Sequence, residues 1–320
     1  MPKLLPKIIV LAGYGLNCEE ETAAAFTLSG GNADVVHIND LIAKPKLLNQ
    51  YQILAIPGGF SYGDDLGGGK AYANKLNNHL KDHLNSFAEQ DKLILGICNG
   101  FQILTQAGLL PGTLSFNDNN RYTDRWVDVK MTQQISNNNS VSSRASNISN
   151  IKGESVLGEA LSEAEGDPLN SDKPSISDSS APARMHSPSV GMTDKISPWL
   201  TGIDHLSLPI AHGEGKYGIS DTELKSLKTH NQIAGVYYKG EVCTYQNLEP
   251  NPNGALLDIA MITSANGKIL GTMPHPERAM FFTQSPDWPL QKEKLIRNGK
   301  KLPKFGEGLK IFQNAINYFK

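Results

Sequence analysis

A chain of 320 residues with 39% hydrophobic and 19% charged side chains can bury one large core, and its composition is that of a globular protein rather than a fibrous or membrane-embedded one. Its 30 Lys and Arg against 32 Asp and Glu leave a net charge of −2, without the basic excess expected of a nucleic-acid or anionic-membrane binder. The 3 cysteines, at 18, 98 and 243, are too few and odd in number for a disulfide framework, which points to the reducing cytoplasm.

The first apolar run, residues 7–12, is too short for a signal core or a membrane span and leads into Gly13; it reads as a buried strand followed by a helix over 19–29. A second apolar strand, 52–56, opens onto Pro57-Gly58-Gly59-Phe60-Ser61-Tyr62-Gly63-Asp64, and a helix follows over 70–90. Leu76, Leu80, Leu84 and Phe87 give that helix a core-facing stripe. A third strand, 92–97, runs into Cys98 and a helix over 99–107. Buried strands alternating with helices predict an α/β fold, with a central, mostly parallel sheet covered by helices on both faces.

Further strands are expected at 125–131, 232–238, 258–263 and 268–273, and an amphipathic helix closes the chain at 309–319. The rhythm breaks at 133–195, where Ser, Asn, Gly, Pro, Ala and Glu dominate. Such a stretch buries too little apolar surface to offset its chain entropy and reads as a long disordered insertion, with a weak helix at 155–165. The expectation is one domain over 1–320, interrupted by this low-complexity insertion, with about 255 residues in the fold itself.

Gly96 and Gly100 flank Cys98 at −2 and +2, the spacing of a nucleophile elbow. A cysteine at the start of a helix meets the positive end of its dipole, which favours the thiolate. A buried structural cysteine is the competing reading. A nucleophile also needs a base and something to hold it. Met273-Pro274-His275-Pro276-Glu277 follows an apolar strand, and if it stays extended His275 and Glu277 point the same way, so that Glu277 fixes the tautomer of His275. By itself this triplet reads as a satisfied loop histidine, and only beside the elbow does it become a candidate triad.

The Gly58-Gly59 loop can bring backbone N–H donors close to a developing oxyanion, or it can be an ordinary turn. Gly67-Gly68-Gly69-Lys70 fails the Walker A pattern. His212-Gly213-Glu214-Gly215-Lys216, placed on a loop, is open between a turn and a binding element. His79 and His83 stand four apart on a helix without a third ligand, so no metal is expected. Cys18 and Cys243 read as packing residues.

Taken together, Gly-Gly-Phe-Ser-Tyr-Gly-Asp (58–64), Gly-Ile-Cys-Asn-Gly-Phe-Gln-Ile-Leu (96–104), Ala-His-Gly-Glu-Gly (211–215), Asn-Pro-Asn-Gly (251–254) and Met-Pro-His-Pro-Glu-Arg (273–278) resemble the glutaminase component of phosphoribosylformylglycinamidine synthase, a class I (triad) glutamine amidotransferase of flavodoxin-like fold. Asn17-Cys18-Glu19 and 117–126 match as well. The resemblance runs through nearly the whole chain outside 133–195. It implies that Cys98 attacks glutamine, that His275 is base and then acid, and that Glu277 orients His275. It implies an oxyanion hole from the backbone amides of Gly59 and Asn99, with Gly58 and Phe60 in the same loop. Gln102 is implied to contact bound glutamine, and Gly213 and Glu214 to hold its amino-acid end. No cofactor is implied for this chain. ATP and Mg are expected on a synthetase partner, which converts formylglycinamide ribonucleotide with the released ammonia in purine biosynthesis, with room for a small accessory subunit.

Two features depart from the family's pattern. The 133–195 stretch lies outside its compact domain and is expected to be dispensable for catalysis, and the chain is longer than most free-standing glutaminases. Two other readings compete. A cysteine hydrolase of related fold is disfavoured by Gln102 and by His275 and Glu277 following Cys98 in order. A non-catalytic regulatory homologue is disfavoured because all three triad positions are filled.

Overall fold

The computed structural model describes residues 5–132 and 197–320. The expected insertion at 133–195, and the weak helix within it, lie outside the described residues.

The N-terminal half alternates strand and helix. Its elements are β1 (Lys7–Ala12), α1 (Glu19–Leu28), β2 (Asn32–His37), α2 (Ile38–Ala43), β3 (Ile53–Ile56), α3 (Lys70–Glu89), β4 (Leu93–Ile97), α4 (Asn99–Gln106), β5 (Thr113–Ser115) and β6 (Thr123–Met131). The C-terminal half holds β7 (His205–His212), β8 (Lys216–Gly218), α5 (Asp221–Thr229), β9 (Ile233–Tyr238), α6 (Glu241–Gln246), β10 (Ile259–Thr263), β11 (Ile269–Thr272), α7 (Trp288–Arg297) and α8 (Leu309–Tyr318).

Nine strands form one sheet in the order β2-β1-β3-β4-β11-β10-β9-β6-β7. The first five are parallel, as the βαβ rhythm predicts. From β11 onward each pairing is antiparallel, so the whole sheet is mixed. The inner parallel strands are apolar without alternation (β3 is Ile-Leu-Ala-Ile, every residue buried) because helices cover both of their faces. α3 lays Leu76, Leu80, Leu84 and Phe87 into the core, and α8 packs Phe312 edge-on against Phe26 of α1, with ring centroids 4.9 Å apart.

Besides the short β5–β8 pair, two strands of the large sheet were not anticipated from the sequence. β7 carries Pro209 at its centre, which reads as a strand breaker, yet β7 is the last strand of the sheet, where a missing N–H costs no ladder bond on the open side. The His212 element, expected on a loop, therefore starts from the end of that strand. β2 is the opposite edge, half-buried and polar, and shows little hydrophobic alternation.

Five parallel strands ending on one side create a row of carboxyl ends, where ligand sites of open α/β sheets gather. β4 and β11 are neighbours in register, Ile97 opposite Thr272. Cys98 and Met273-Pro274-His275 thus leave the sheet at the same place, although far apart in sequence.

Candidate active site

At the end of β4 the backbone turns abruptly. Cys98 has φ 49° and ψ −106°, a left-handed conformation that costs a non-glycine residue about 1–3 kcal/mol. Two close approaches enforce it. A Cβ on Gly100 would fall 1.9 Å from the Ile56 carbonyl oxygen, and one on Gly96 would fall 2.7 Å from the Gly100 carbonyl oxygen. The Cys98 N–H is anchored to the Thr272 carbonyl at 2.8 Å, and the Cys98 carbonyl accepts from Phe101 and Gln102 as α4 begins. The thiol is 5% exposed, at the N-terminus of that helix.

From β11 the chain enters the site through His275, whose N–H donates to the Pro209 carbonyl at 2.8 Å. The segment does not stay extended, as the sequence suggested. Pro276–Arg278 forms a single 3-10 turn, and that turn carries Glu277 back under the ring of His275. Nδ1 of His275 lies 2.6 Å from Oε1 of Glu277, with both side chains buried. The pairing expected from the sequence is present, made by a turn rather than by strand alternation. Burial opposes a charged imidazolium here, but the Glu277 carboxylate, with Cys98 and Cys18 adding to it, holds His275 well above the ordinary histidine range.

The loop after β3 closes over this pair. The Gly58 carbonyl accepts from the N–H groups of Asn17 (3.1 Å) and Cys18 (3.2 Å), and Phe60 N–H donates to Gly15 at 2.9 Å. These bonds bracket the Gly59–Leu16 bridge and leave the Gly59 N–H outside the ladder. A Cβ on Gly58 would sit 2.7 Å from Cε1 of His275, so only glycine admits the ring at this distance. Asn99 is the first residue of α4, where the N–H has no intrahelical acceptor. Phe60 is 44% exposed, its ring 6.0 Å from that of Tyr122.

A polar relay joins this loop to the one after β7. The Asn99 carboxamide accepts from Ser61 N–H (3.1 Å) and donates to Asp64 (3.1 Å) and to Gln102 Oε1 (2.7 Å). Gln102 Nε2 donates in turn to the Glu214 carbonyl at 2.7 Å, and Glu214 Oε2 accepts from Gly68 N–H at 2.9 Å. Both ends of the Gln102 side chain are thus committed within the protein. The amides of the glycine run 67–69 are likewise committed, Gly67 to the Asp64 carbonyl, Gly68 to the Glu214 carboxylate and Gly69 to the Asp64 carboxylate, and the run is no phosphate cradle.

Asn117 and Asn253, which no residue-level reading singled out, hold the Gly213–Glu214 loop in place. Asn117 N–H donates to the Gly213 carbonyl (2.9 Å). Its side chain donates to the His212 carbonyl (2.9 Å) and accepts from Gly215 N–H (3.0 Å). Asn253 Nδ2 donates to the Gly215 carbonyl at 2.8 Å. His212 is buried with Nδ1 3.2 Å from Asn117 Oδ1; burial, helped by the nearby His275, pushes its pKa down to about 3, so it is neutral.

Cys18 corrects the expectation of a packing residue. Its Sγ accepts from Arg278 Nη2 at 3.0 Å and lies with His275 and Glu277 in one buried group. Cys243 is packed as expected, buried on α6. His79 and His83 join no group of metal-ligating side chains among the described residues.

Several unmet hydrogen bonds lie in this region, beside the positive φ of Cys98. His275 Nε2, Glu277 Oε2, His212 Nε2 and Ser61 Oγ are buried without a hydrogen-bond partner among the described residues. Such groups mark a site arranged for something other than stability. A strained thiol at a helix start, a buried carboxylate–imidazole pair and backbone donors on a glycine loop are the parts of acyl transfer through a thioester.

A family model, the CobB/CobQ-like glutamine amidotransferase domain, matches residues 5–169 and 183–319. A phosphoribosylformylglycinamidine synthase subunit PurQ of Methanococcus maripaludis is 38% identical over 331 residues, covering 100% of this chain and 99% of the relative. The PurQ subunit of Dehalococcoides mccartyi is 34% identical, covering 98% and 97%. These alignments run across the 133–195 stretch rather than stopping at it. Among solved structures, one of PurLQS from Thermotoga maritima superimposes with a TM-score of 0.61 at 24% identity, covering 99% of this chain and 100% of that one, and so shares the fold.

Proposed function

The chain belongs to the PurQ family of glutamine amidotransferases, and on that premise we propose that it is the glutaminase subunit of a phosphoribosylformylglycinamidine synthase, with Cys98, His275 and Glu277 as its triad. The observation that carries the reading is the buried His275–Glu277 pair, 2.6 Å apart, at the same carboxyl end of the sheet as the strained Cys98.

In this mechanism the Cys98 sulfur attacks the carboxamide carbon of glutamine, and its proton passes to Nε2 of His275. The N–H groups of Gly59 and Asn99 receive the oxyanion, in the loop that Gly58 and Phe60 shape. His275 then protonates the departing ammonia. Water, activated by the same imidazole, hydrolyses the glutamyl thioester to glutamate. Glu277 keeps the tautomer and steadies the imidazolium. Gln102 acts by positioning, since its carboxamide holds the Glu214 backbone that, with Gly213, meets the amino-acid end of glutamine.

Cofactor chemistry belongs to the partner. A synthetase chain carries the ATP and Mg sites and uses the ammonia to convert formylglycinamide ribonucleotide to formylglycinamidine ribonucleotide. Exposed Phe60 and Tyr122, their rings 6.0 Å apart, supply apolar surface beside the site for such a partner. Among the described residues no helix is long and apolar enough to cross a membrane.

The experiment is to trap the acyl-enzyme. Acid quench during glutamine turnover, followed by mass spectrometry, is expected to find one glutamyl adduct on Cys98 and none in Cys98→Ala. An adduct elsewhere, or turnover that survives Cys98→Ala, would overturn the reading.

A further inference from the structure

Cys18 has no part in the proposed reaction, yet it lies inside the triad. Its Sγ, a ring nitrogen of His275 and a carboxylate oxygen of Glu277 all lie within 4.8 Å of one another, and no other such group occurs among the described residues. The three side chains are 1%, 2% and 0% exposed. Two of their atoms, His275 Nε2 and Glu277 Oε2, are buried without a hydrogen-bond partner among the described residues. A thiolate, an imidazole and a carboxylate form a ligand set that suits zinc. Ligands placed tetrahedrally around zinc are about 3.5 Å apart, so side-chain adjustments of roughly an ångström bring these three into range.

We propose that Cys18, His275 and Glu277 form an inhibitory site for a soft divalent cation, Zn²⁺ being the natural occupant. On binding, the Cys18 thiol and the His275 imidazolium each give up a proton to solvent, and thiolate and carboxylate together neutralise the dication. Arg278, its Nη2 3.0 Å from the sulfur, sets a positive charge against the ion. The site therefore binds reversibly. Occupancy takes the imidazole that the nucleophile needs, and hydrolysis stops until a chelator removes the metal. The inhibition rests on the proposed function, but the binding does not.

The test uses Co²⁺ as a spectroscopic stand-in, titrated into the reduced, metal-free full-length chain without glutamine. A thiolate-to-cobalt charge-transfer band and visible bands of four-coordinate cobalt are expected, displaced by Zn²⁺, with a higher Tm in Zn²⁺ than in chelator. Cys18→Ser is expected to lose the charge-transfer band and Cys98→Ser to keep it. Glu277→Gln provides a second variant and is expected to weaken binding with the thiolate band still attainable. A band kept in Cys18→Ser and lost in Cys98→Ser would place the metal on the nucleophile and overturn the proposal. So would the absence of any band or Tm shift in the unsubstituted chain. If the metal binds Cys18 but glutamine is not hydrolysed, the proposed function fails and the metal site stands.

Discussion

At the scale of single residues the site depends on charge placement in a dry interior. Replacing Glu277 by Gln keeps the shape but removes the charge that sets the tautomer of His275. A fall in kcat on the order of 10³–10⁴-fold is expected, measurable as glutamate release. His212 makes a different prediction. Its pKa lies near 3 in the fold against an ordinary value of 6.5, so the unfolded chain binds more protons between those limits. The stability this contributes is complete above pH 6.5 and is lost as pH falls through the window. Between pH 7 and 5 the loss attributable to His212 is about 2 kcal/mol. Urea unfolding of the unsubstituted chain and of His212→Gln at the two pH values isolates it, and an equal loss in both would contradict the assignment.

At the scale of elements the elbow and its two supporting loops are separable. Gly100 touches backbone, so the clash from a new Cβ has no flexible side chain to absorb it, and Gly100→Ala is expected to cost about 4 kcal/mol or more or to abolish folding. Asn117→Ala, by contrast, unties the 212–215 loop while leaving the triad in place. It is expected to raise the KM for glutamine about tenfold, with a smaller change in kcat, through the loss of buried hydrogen bonds. Equal falls in kcat and kcat/KM would instead put Asn117 in the chemistry.

The elbow was legible in the sequence because all of its determinants are local: an apolar strand, two glycines and a helix start. The parallel half of the sheet was legible for the same reason. What pairs across the chain was not. Cys18 meets Arg278 only because β1 and β11 end on the same side of the sheet, and nothing near position 18 announces it. Asn117 entered only within the family-like segment 117–126 and with no role, since its partners come from the end of β7, a strand not anticipated from the sequence. The Glu277 contact was anticipated through the wrong geometry, because Pro at 276 suits the first position of a 3-10 turn as well as an extended segment.

For the whole molecule, the helix α8 and the first helix α1 are joined by Phe312 and Phe26, and Cys18 stands at the N-cap of α1. Truncating Phe312 to Ala removes a fully buried ring and is expected to cost about 3–5 kcal/mol in urea unfolding. Activity on glutamine is expected to be weak for the chain alone and to rise when a synthetase partner is added. Equal turnover with and without the partner would argue against a coupled subunit.

The positive φ of Cys98 sets function against durability. A glycine there would accept the backbone without strain, regaining about 1–3 kcal/mol less the roughly 0.5–1 kcal/mol by which glycine loosens the unfolded chain. The Cys98→Gly variant, inactive under the proposed mechanism, is therefore expected to melt above Cys98→Ala and close to or above the unsubstituted chain. Selection for heat resistance alone would favour glycine at this position, whereas the proposed mechanism needs the sulfur.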